Sequence, residues 1–358
     1  MATNTNLSRI GQINAAGDDR ALFLKVFSGE TMATFDKVNL MKSRHMTKTI
    51  AYGKSAQFTI TGTATADYFD SGTNILDPAN GLLNNILRGE RVINIDKPLI
   101  SAVAISEDDV KLNHDASTAI QSEELGRALA NQFDASCIKV AYAAARTEAT
   151  LTRDGDRVFG GTRIFSNTAG GGEGADDVNL GFGATFTSAI QLADALYAAK
   201  TALDEKNVPA EDRCAIMPSA EYNLLISEFP ETQLNRVINQ DIGGQGSYAQ
   251  GTLGKIAGFE ILSSNNMPNG QDLSAVDDGG SNNDVFGANG IGYNGDFTGS
   301  RILCFHKSAM GTVQLMDLST EMEWKMEYQT NLYVAKYMLG HGVLRPEAAV
   351  EISDGNLT

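Results

Sequence analysis

A helical pattern of about thirty residues, from Ser117 to Arg146, constrains the fold of this chain more than any other feature. Apolar side chains recur along it at helical spacing, at Leu125, Leu129, Phe133, Cys137, Val140 and Ala144, and its many alanines favour helix throughout. At about 1.5 Å per residue, such a helix is roughly 45 Å long. Because most helices in globular domains are shorter, we expect it to be a structural spine.

Composition limits what such a chain can do. Its 358 residues carry a formal net charge of −16, although residues 1–60 are net basic. An acidic body disfavours tight, sequence-independent binding of nucleic acid. It is compatible with the wall of a container that repels DNA. It is equally compatible with a surface whose acidic residues only keep the protein soluble. No apolar run is long enough to span a membrane. The three scattered cysteines, Cys137, Cys214 and Cys304, indicate free thiols in a reducing compartment.

Two alternating segments predict a β-hairpin. Residues 55–61 place Phe58 and Ile60 on one face, and residues 90–96 place Ile93 and Ile95 on one face. The connection between them, of nearly thirty residues, is rich in Gly, Asn, Thr and Asp. A loop of that length inside a compact domain is usually functional or disordered. We therefore expect a hairpin that leaves the body of the molecule.

Other segments predict a mixture of helices and strands. We expect a short helix after Ala21 that is interrupted at Gly29 and followed by extended chain. Further helices are predicted at 188–206 and from Pro218, and strands at 213–217 and 255–262, with Gly-rich loops at 166–183 and 269–300. Strict alternation over 321–328 predicts a strand whose apolar face, Met322, Trp324 and Met326, packs on the spine helix or the adjoining sheet.

The sequence offers no catalytic constellation. Gly290–Gly295 has the letters of a dinucleotide-binding turn but not its strand-turn-helix context. Cys304 and His306 share a strand face without further zinc ligands, and His45, His114 and His341 stand alone. The acidic pairs Asp108-Asp109, Asp176-Asp177 and Asp277-Asp278 lack the calcium-ligand spacing of an EF-hand. We expect no enzyme activity, no cofactor and no metal.

Two stretches of the chain, Gly17–Glu30 and the pair Ser43–Met46 and Gly53–Phe58, resemble the major capsid proteins of T7-like short-tailed phages, the autographivirus group of the podoviruses. The turn Lys206–Arg213 and the segment Gly254–Ile261 are similar to the same family. The resemblance covers most of the chain. It implies an α+β chain with the HK97-like tailed-phage capsid fold.

The resemblance also implies how the chain is divided. Residues 1–45 would be the N-terminal arm and 46–100 the extended β-hairpin loop. Residues 101–183, with the spine helix 117–146, would form the peripheral lobe, 184–310 the axial lobe, and 311–358 a return to the peripheral lobe.

The function implied is that of a shell subunit. Copies would assemble through pentamers and hexamers into an icosahedral capsid around double-stranded DNA, without sequence-specific binding and without a membrane. The expected partners are the chain itself, a scaffolding protein during assembly and a portal at one vertex. Assembly would take place in the host bacterial cytoplasm, and the chain would reside in the virion. Since no motif identifies a partner for Lys97 in an isopeptide bond, the shell is expected to be non-covalent.

The predicted hairpin supplies the candidate contact residues. A two-stranded ribbon is marginally stable alone in water, so its apolar face, with Phe58, Ile60, Ile93 and Ile95, is expected to contact a neighbouring subunit. Two alternatives stay open. An encapsulin-like cellular compartment would have the same fold, and a phage tail or decoration protein would show repeats or an all-β pattern, which the long helix contradicts.

Overall fold

The computed structural model describes residues 21–61, 66, 68–77, 88–106, 117–148, 160–166, 177–183, 185–227, 253–277, 283–286 and 291–354. Within these ranges the chain has four α-helices: α1 (Ala21–Val38), α2 (Ser117–Arg146), α3 (Ala189–Glu205) and α4 (Ser219–Ser227). A 3₁₀ turn, Pro346–Ala348, precedes the last strand. The first twenty residues of the predicted arm lie outside the described residues, as do His114 and Asp108-Asp109.

Thirteen strands lie within the same described ranges. They are β1 (Met46–Thr49), β2 (Ser55–Thr61), β3 (Arg88–Asn94), β4 (Leu99–Ser106), β5 (Thr162–Phe165), β6 (Val178–Asn179), β7 (Arg213–Met217), β8 (Lys255–Ile256), β9 (Phe259–Ser263), β10 (Ser300–His306), β11 (Met310–Lys325), β12 (Thr330–Val343) and β13 (Ala349–Ser353). They form a seven-stranded sheet in the order β6-β5-β13-β10-β7-β9-β8, a four-stranded sheet in the order β1-β11-β12-β4, and a two-stranded ribbon of β2 and β3.

Helix α2 is the spine that the sequence predicts, with the predicted bounds. Every member of its apolar stripe, from Leu125 to Ala144, is buried. The helix contacts α1, both large sheets and the 3₁₀ turn, so its second half is enclosed on all sides. One hydrophobic core runs from Phe35 through α2 to Ile352 and joins both sheets.

Helix α1 corrects the predicted break at Gly29, because it continues without interruption to Val38. A glycine inside a helix costs about 0.5–1 kcal/mol relative to alanine, and burial of neighbouring side chains offsets that cost. Phe27 stacks on Tyr333 with ring centroids 4.6 Å apart, and Phe35 is buried beside Phe133. Tertiary packing therefore carries the helix through the glycine.

Three strands cross the predicted lobe boundaries. β5 and β6, from the segment assigned to the peripheral lobe, pair with each other at one edge of the seven-stranded sheet. β13, from the predicted return to that lobe, pairs with β5 and with β10 of the predicted axial segment. The division into lobes stays a prediction, but these three strands belong by hydrogen bonding to the sheet of segment 184–310.

The predicted strand at 321–328 is the end of the longer strand β11, which stops three residues earlier than predicted, and one residue of its predicted apolar face is exposed. β11 ends at Lys325, and Gln329 completes the turn with a positive φ of 51°. Met322 packs beside Tyr333 and Trp324 is half-buried. Met326 is 74% exposed, which makes its predicted packing on the spine wrong, because alternation continued past the end of the strand.

A buried ion pair fixes the end of α2 to the seven-stranded sheet. The Arg146 guanidinium donates to both carboxylate oxygens of Glu351, each over 2.6 Å, and to Ser300 Oγ over 2.9 Å. Glu351 lies on β13 and is fully buried. A carboxylate in such a place is tolerated only while its partner is present.

Arg146→Met should therefore lower the free energy of unfolding by about 3 kcal/mol or more, because it leaves a buried charge without its partner. Lys325→Met is the matched control. It breaks the exposed pair with Glu323 and should cost less than about 1 kcal/mol. Urea unfolding of both variants measures the difference; equal losses would contradict the anchoring role of Arg146.

Candidate assembly surface: the ribbon and its root

The ribbon, strands β2 and β3, confirms the predicted hairpin. The strands are antiparallel, with Ser55 opposite Asn94 and Thr61 opposite Arg88. β3 begins and ends two residues earlier than the predicted 90–96. Ile95 and Asp96 therefore lie beyond the strand, where the chain turns onto the body of the molecule.

The ribbon root, residues 93–96, is held to the body through its backbone. Ile95 N–H donates to the Lys54 carbonyl over 2.8 Å, and Asp96 N–H donates to the Leu339 carbonyl over 2.9 Å. The side-chain amide of Asn283 spans Asn94: its Nδ2 donates to the Asn94 carbonyl and its Oδ1 accepts from the Asn94 N–H. Backbone contacts of this kind set the direction in which the ribbon leaves the sheet.

Glycines on β11 and β12 allow this approach. A Cβ at Gly340 would lie 2.0 Å from the Asn94 carbonyl oxygen, which is backbone and cannot be displaced without moving the root. A Cβ at Gly342 would lie 2.8 Å from the side chain of Ile93. Gly311 faces Leu344 and Ile93 in the same way. At these three positions the sheet surface is bare backbone, because a side chain there would hold the root away.

A small core sits between root and sheet. Its buried members are Ala56, Ile93, Ile95, Val313 and Leu344, and Phe58 packs at its margin. Ile93 is 1% and Ile95 3% exposed. For these two residues the predicted contact with a neighbouring subunit is corrected, because their own chain already covers them.

The other two predicted contact residues differ from each other. Ile60 is buried, whereas Phe58 is half-buried, with the Lys48 ammonium 5.4 Å from its ring centroid. For Phe58 a contact between subunits stays a prediction.

The exposed apolar side chains of this region are ones that the sequence analysis missed. Val92 lies on β3, Tyr52 lies before β2, and the others lie in the connection between the two strands, at Tyr68, Phe69, Ile75 and Leu76. Tyr68 has no protection from its own chain at all. The available signal was the presence of aromatic and aliphatic residues inside an otherwise polar connection. Grouped apolar exposure of this kind marks an interaction surface.

The ribbon region is less acidic than the rest of the chain. Lys48, Lys54, Arg88 and Lys97 are exposed here, and so are Glu90 on β3 and Asp70 and Asp77 in the connection. These charges nearly balance, whereas the chain as a whole has a net charge of −16.

A buried polar cluster lies beneath the root. The Tyr293 hydroxyl donates to Asp96 and accepts from the His341 N–H over 3.0 Å. His341 and His45 both contact Thr312, so the expectation that these two histidines stand alone is wrong. Burial lowers the pKa of His45 and lowers that of His341 to about 3.

The other residues considered for catalysis or metal binding lie in the core or in turns where the structure describes them. Cys304 is fully buried, and His306 is half-buried and pairs with Ser308 Oγ over 2.8 Å. Gly290 and Asp176 lie outside the described residues. Within the described ranges there is no group of three or more His, Cys, Asp or Glu residues that could hold a metal ion. No helix in that part of the chain is both long and apolar enough to cross a membrane.

Comparison with known proteins assigns this arrangement to a family. Residues 57–353, which include α2, the seven-stranded sheet and most of the ribbon and of the four-stranded sheet, match the family described as Gp10A-like, Major capsid protein. The chain belongs to this family. It is 30% identical to the major capsid protein of Escherichia phage T7 over 356 residues, 98% of either chain.

Solved structures agree with the family. The capsid structure of Cyanophage P-SCSP1u covers 99% of this chain and 100% of its own, with a TM-score of 0.69 and 34% identity. The mature capsid of bacteriophage PhiM1 covers 89% and 88%, with a TM-score of 0.62 and 15% identity, and shows the fold alone.

The Gp10A-like assignment confirms the predicted family, the HK97-like α+β fold and the function of a phage major capsid protein. It favours a shell-forming virion protein over both alternatives, the encapsulin-like compartment and the tail or decoration protein.

Gly340→Ala should destabilise the subunit by about 1–3 kcal/mol, because the added methyl group forces the root off the sheet. Gly29→Ala is the control: its Cβ would meet nothing within 4 Å inside helix α1, so it should stabilise by about 0.5–1 kcal/mol. Thermal unfolding gives both values. A neutral Gly340→Ala variant would contradict the close approach of the root.

Proposed function

We propose that this capsid protein assembles through pentamers and hexamers into an icosahedral shell around double-stranded DNA, and that the ribbon is the part of each subunit that lies on its neighbour. The observation that carries the proposal is the grouped exposure of large apolar side chains on the ribbon and the connection beyond it. Each side chain covered by a neighbour contributes about 1.5–3 kcal/mol.

The architecture of the ribbon supports this use. Its root is fixed by backbone hydrogen bonds and by a core of its own chain, whereas its outer face is not covered. A two-stranded sheet without a covering layer is marginal in water. Around a ring, each copy both offers a ribbon and receives one, which is the head-to-tail arrangement of closed rings.

Charge supports the role of the shell as a container. An acidic protein with a net charge of −16 repels a polyanion, so enclosed DNA would be held by confinement and not by sequence-specific binding. The subunit would act without enzymatic turnover, cofactor or metal.

Four further points belong to the proposal. A scaffolding protein would direct assembly, a portal would occupy one vertex, and assembly would take place in the host bacterial cytoplasm. Contacts between subunits would be non-covalent.

The double substitution Phe69→Ser with Leu76→Ser tests the ribbon contact. Both side chains are exposed in the subunit, so melting temperature and circular dichroism should stay as in the wild type. Closed shells should be lost or their yield reduced at least tenfold, measured by size-exclusion chromatography and electron microscopy, because several kcal/mol of apolar burial per subunit disappear.

Val276→Ser provides the matched control, since Val276 is an exposed apolar residue outside the ribbon; it should form shells normally. Normal shells from the double variant would overturn the proposed role of the ribbon. Discrete trimers from the wild type, instead of shells, would overturn the proposed function itself.

A further inference from the structure

Strand β4 forms one edge of the four-stranded sheet and is paired on one side. It runs antiparallel to β12, with Leu99 opposite Tyr337 and Ser106 opposite Thr330. Within the described ranges no strand pairs with its other side. An edge of this length presents a row of backbone N–H and carbonyl groups with which a strand of another chain can pair.

The β4 edge carries no charge, unlike the other edge of the same sheet. Leu99–Ser106 reads Leu-Ile-Ser-Ala-Val-Ala-Ile-Ser, eight residues without a charged side chain. At the other edge, β11 continues past its pairing with β1, and that stretch carries the charged side chains Asp317, Glu321, Glu323 and Lys325. Charged side chains are a usual means of keeping an edge strand from pairing with another chain. Since β4 lacks them, its edge is suited to pairing.

One face of β4 is covered by helices, whereas the other is open. The inner face packs with α1 and α2 through Val103 and Ile105. On the outer face, Ile100 is 54% exposed, and Ala102 and Ala104 are exposed as well. The open face therefore ends in uncharged side chains at the unpaired edge. A strand added beside β4 would extend the sheet and cover part of them.

The symmetry of a shell indicates the partner for this edge. Ribbon contacts of the proposed kind are head-to-tail and close single rings. Rings join through contacts of another kind, and an icosahedral arrangement relates subunits of adjacent rings by two-fold axes. At a two-fold axis the same surface of both copies meets, so that surface must be complementary to itself. An uncharged strand meets this requirement, because two copies bring no like charges opposite each other.

One register suits the pairing of β4 with its own copy. In an antiparallel pair centred on Ala102, Ile100 of one copy lies opposite Ala104 of the other. Leu99 lies opposite Ile105 in the same register, so apolar side chains meet at both ends. Centring the pair one residue later sets both serines of the strand opposite isoleucines. Centring it one residue earlier shortens the paired stretch from 99–105 to 99–103.

We propose that the β4 edge is a two-fold contact between copies of this chain in adjacent rings. Two β4 strands pair antiparallel about Ala102 and join two four-stranded sheets into one continuous sheet. The inference rests on the proposed shell of rings, but it concerns a different surface from the ribbon. Ribbons close each ring, and β4 pairs join one ring to the next.

Single cysteines test the pairing, because only a two-fold contact brings a residue next to its own copy. Ala102→Cys sets two thiols at directly opposite positions, where Cα atoms lie about 4.5–5.5 Å apart and a disulfide fits. Oxidation of assembled shells should convert most chains into disulfide dimers and into nothing larger, measured on a non-reducing denaturing gel. The native Cys137, Cys214 and Cys304 are buried and should not interfere.

Further cysteine variants are controls for register and surface. Ile100→Cys alone and Ala104→Cys alone should give no dimers, since each residue lies roughly 14 Å from its own copy along the strands. Shells assembled from a mixture of these two variants should give dimers. Glu323→Cys, exposed on the charged edge of the same sheet, should stay monomeric. No dimers from Ala102→Cys, or equal dimers from Glu323→Cys, would overturn the two-fold pairing.

Ala102→Lys tests what the contact does in assembly. It sets two like charges opposite each other on the axis, whereas Ala102→Thr at the same position adds no charge and favours a strand. Because Ala102 is exposed in the subunit, both variants should melt like the wild type. Electron microscopy should show rings but about tenfold fewer closed shells for Ala102→Lys, and normal shells for Ala102→Thr.

The outcomes separate this contact from the ribbon. Normal shells from Ala102→Lys would overturn the β4 contact and leave the proposed function intact. Loss of rings as well as shells from Ala102→Lys would also overturn it, because β4 would then act inside the ring. A wild type that forms no shells would overturn the proposed function, and the β4 contact with it unless Ala102→Cys still gives dimers.

Discussion

The approach of the ribbon root to the bare backbone of β11 and β12 is the constraint on which the rest of the structure depends. Gly340 leaves room for the Asn94 carbonyl, and the Asp96 N–H reaches the Leu339 carbonyl directly. Since this contact fixes where the ribbon starts, it also fixes which of its faces is covered by its own chain. Of the exposed apolar side chains, Val92 lies on the open face, and most of the others lie in the connection beyond the two strands.

Two other parts of the subunit, the α1 segment (residues 39–49) and helix α2, also contact the four-stranded sheet, and both meet it at β12. β12 lies between β11 and β4 and carries His341, which meets the α1 segment through Thr312. Helix α2 packs beneath it and ends in the buried pair of Arg146 with Glu351, which links it to the seven-stranded sheet. A capsid subunit that must meet several neighbours is therefore built around a continuous core.

Sequence patterns predicted the elements well where burial follows a simple period. The stripe of α2 gave correct bounds, because a helix that packs on other elements along its whole length needs apolar residues at every turn of that face. Two predictions were wrong. Helix α1 continues through Gly29 because tertiary packing stabilises it, and the strand predicted through Met326 ends at Lys325 because a turn follows there. The polar roles of His45 and His341 could not be predicted, since their partner Thr312 is distant in sequence and pairing across strands brings them together. The same holds for Ile93 and Ile95, whose periodicity shows an apolar face but not which chain covers it.

Hydrogen exchange compared between unassembled subunits and assembled shells tests the central claim most directly. The claim is that the root packs on its own subunit, whereas the connection beyond the ribbon packs on a neighbouring subunit. The account predicts that the amides of Ile95 and Asp96, which donate within the subunit, are protected in both states. Residues 68–77 should exchange quickly in subunits and become protected only in shells. Unchanged exchange of 68–77 on assembly, or an unprotected root in the free subunit, would contradict it.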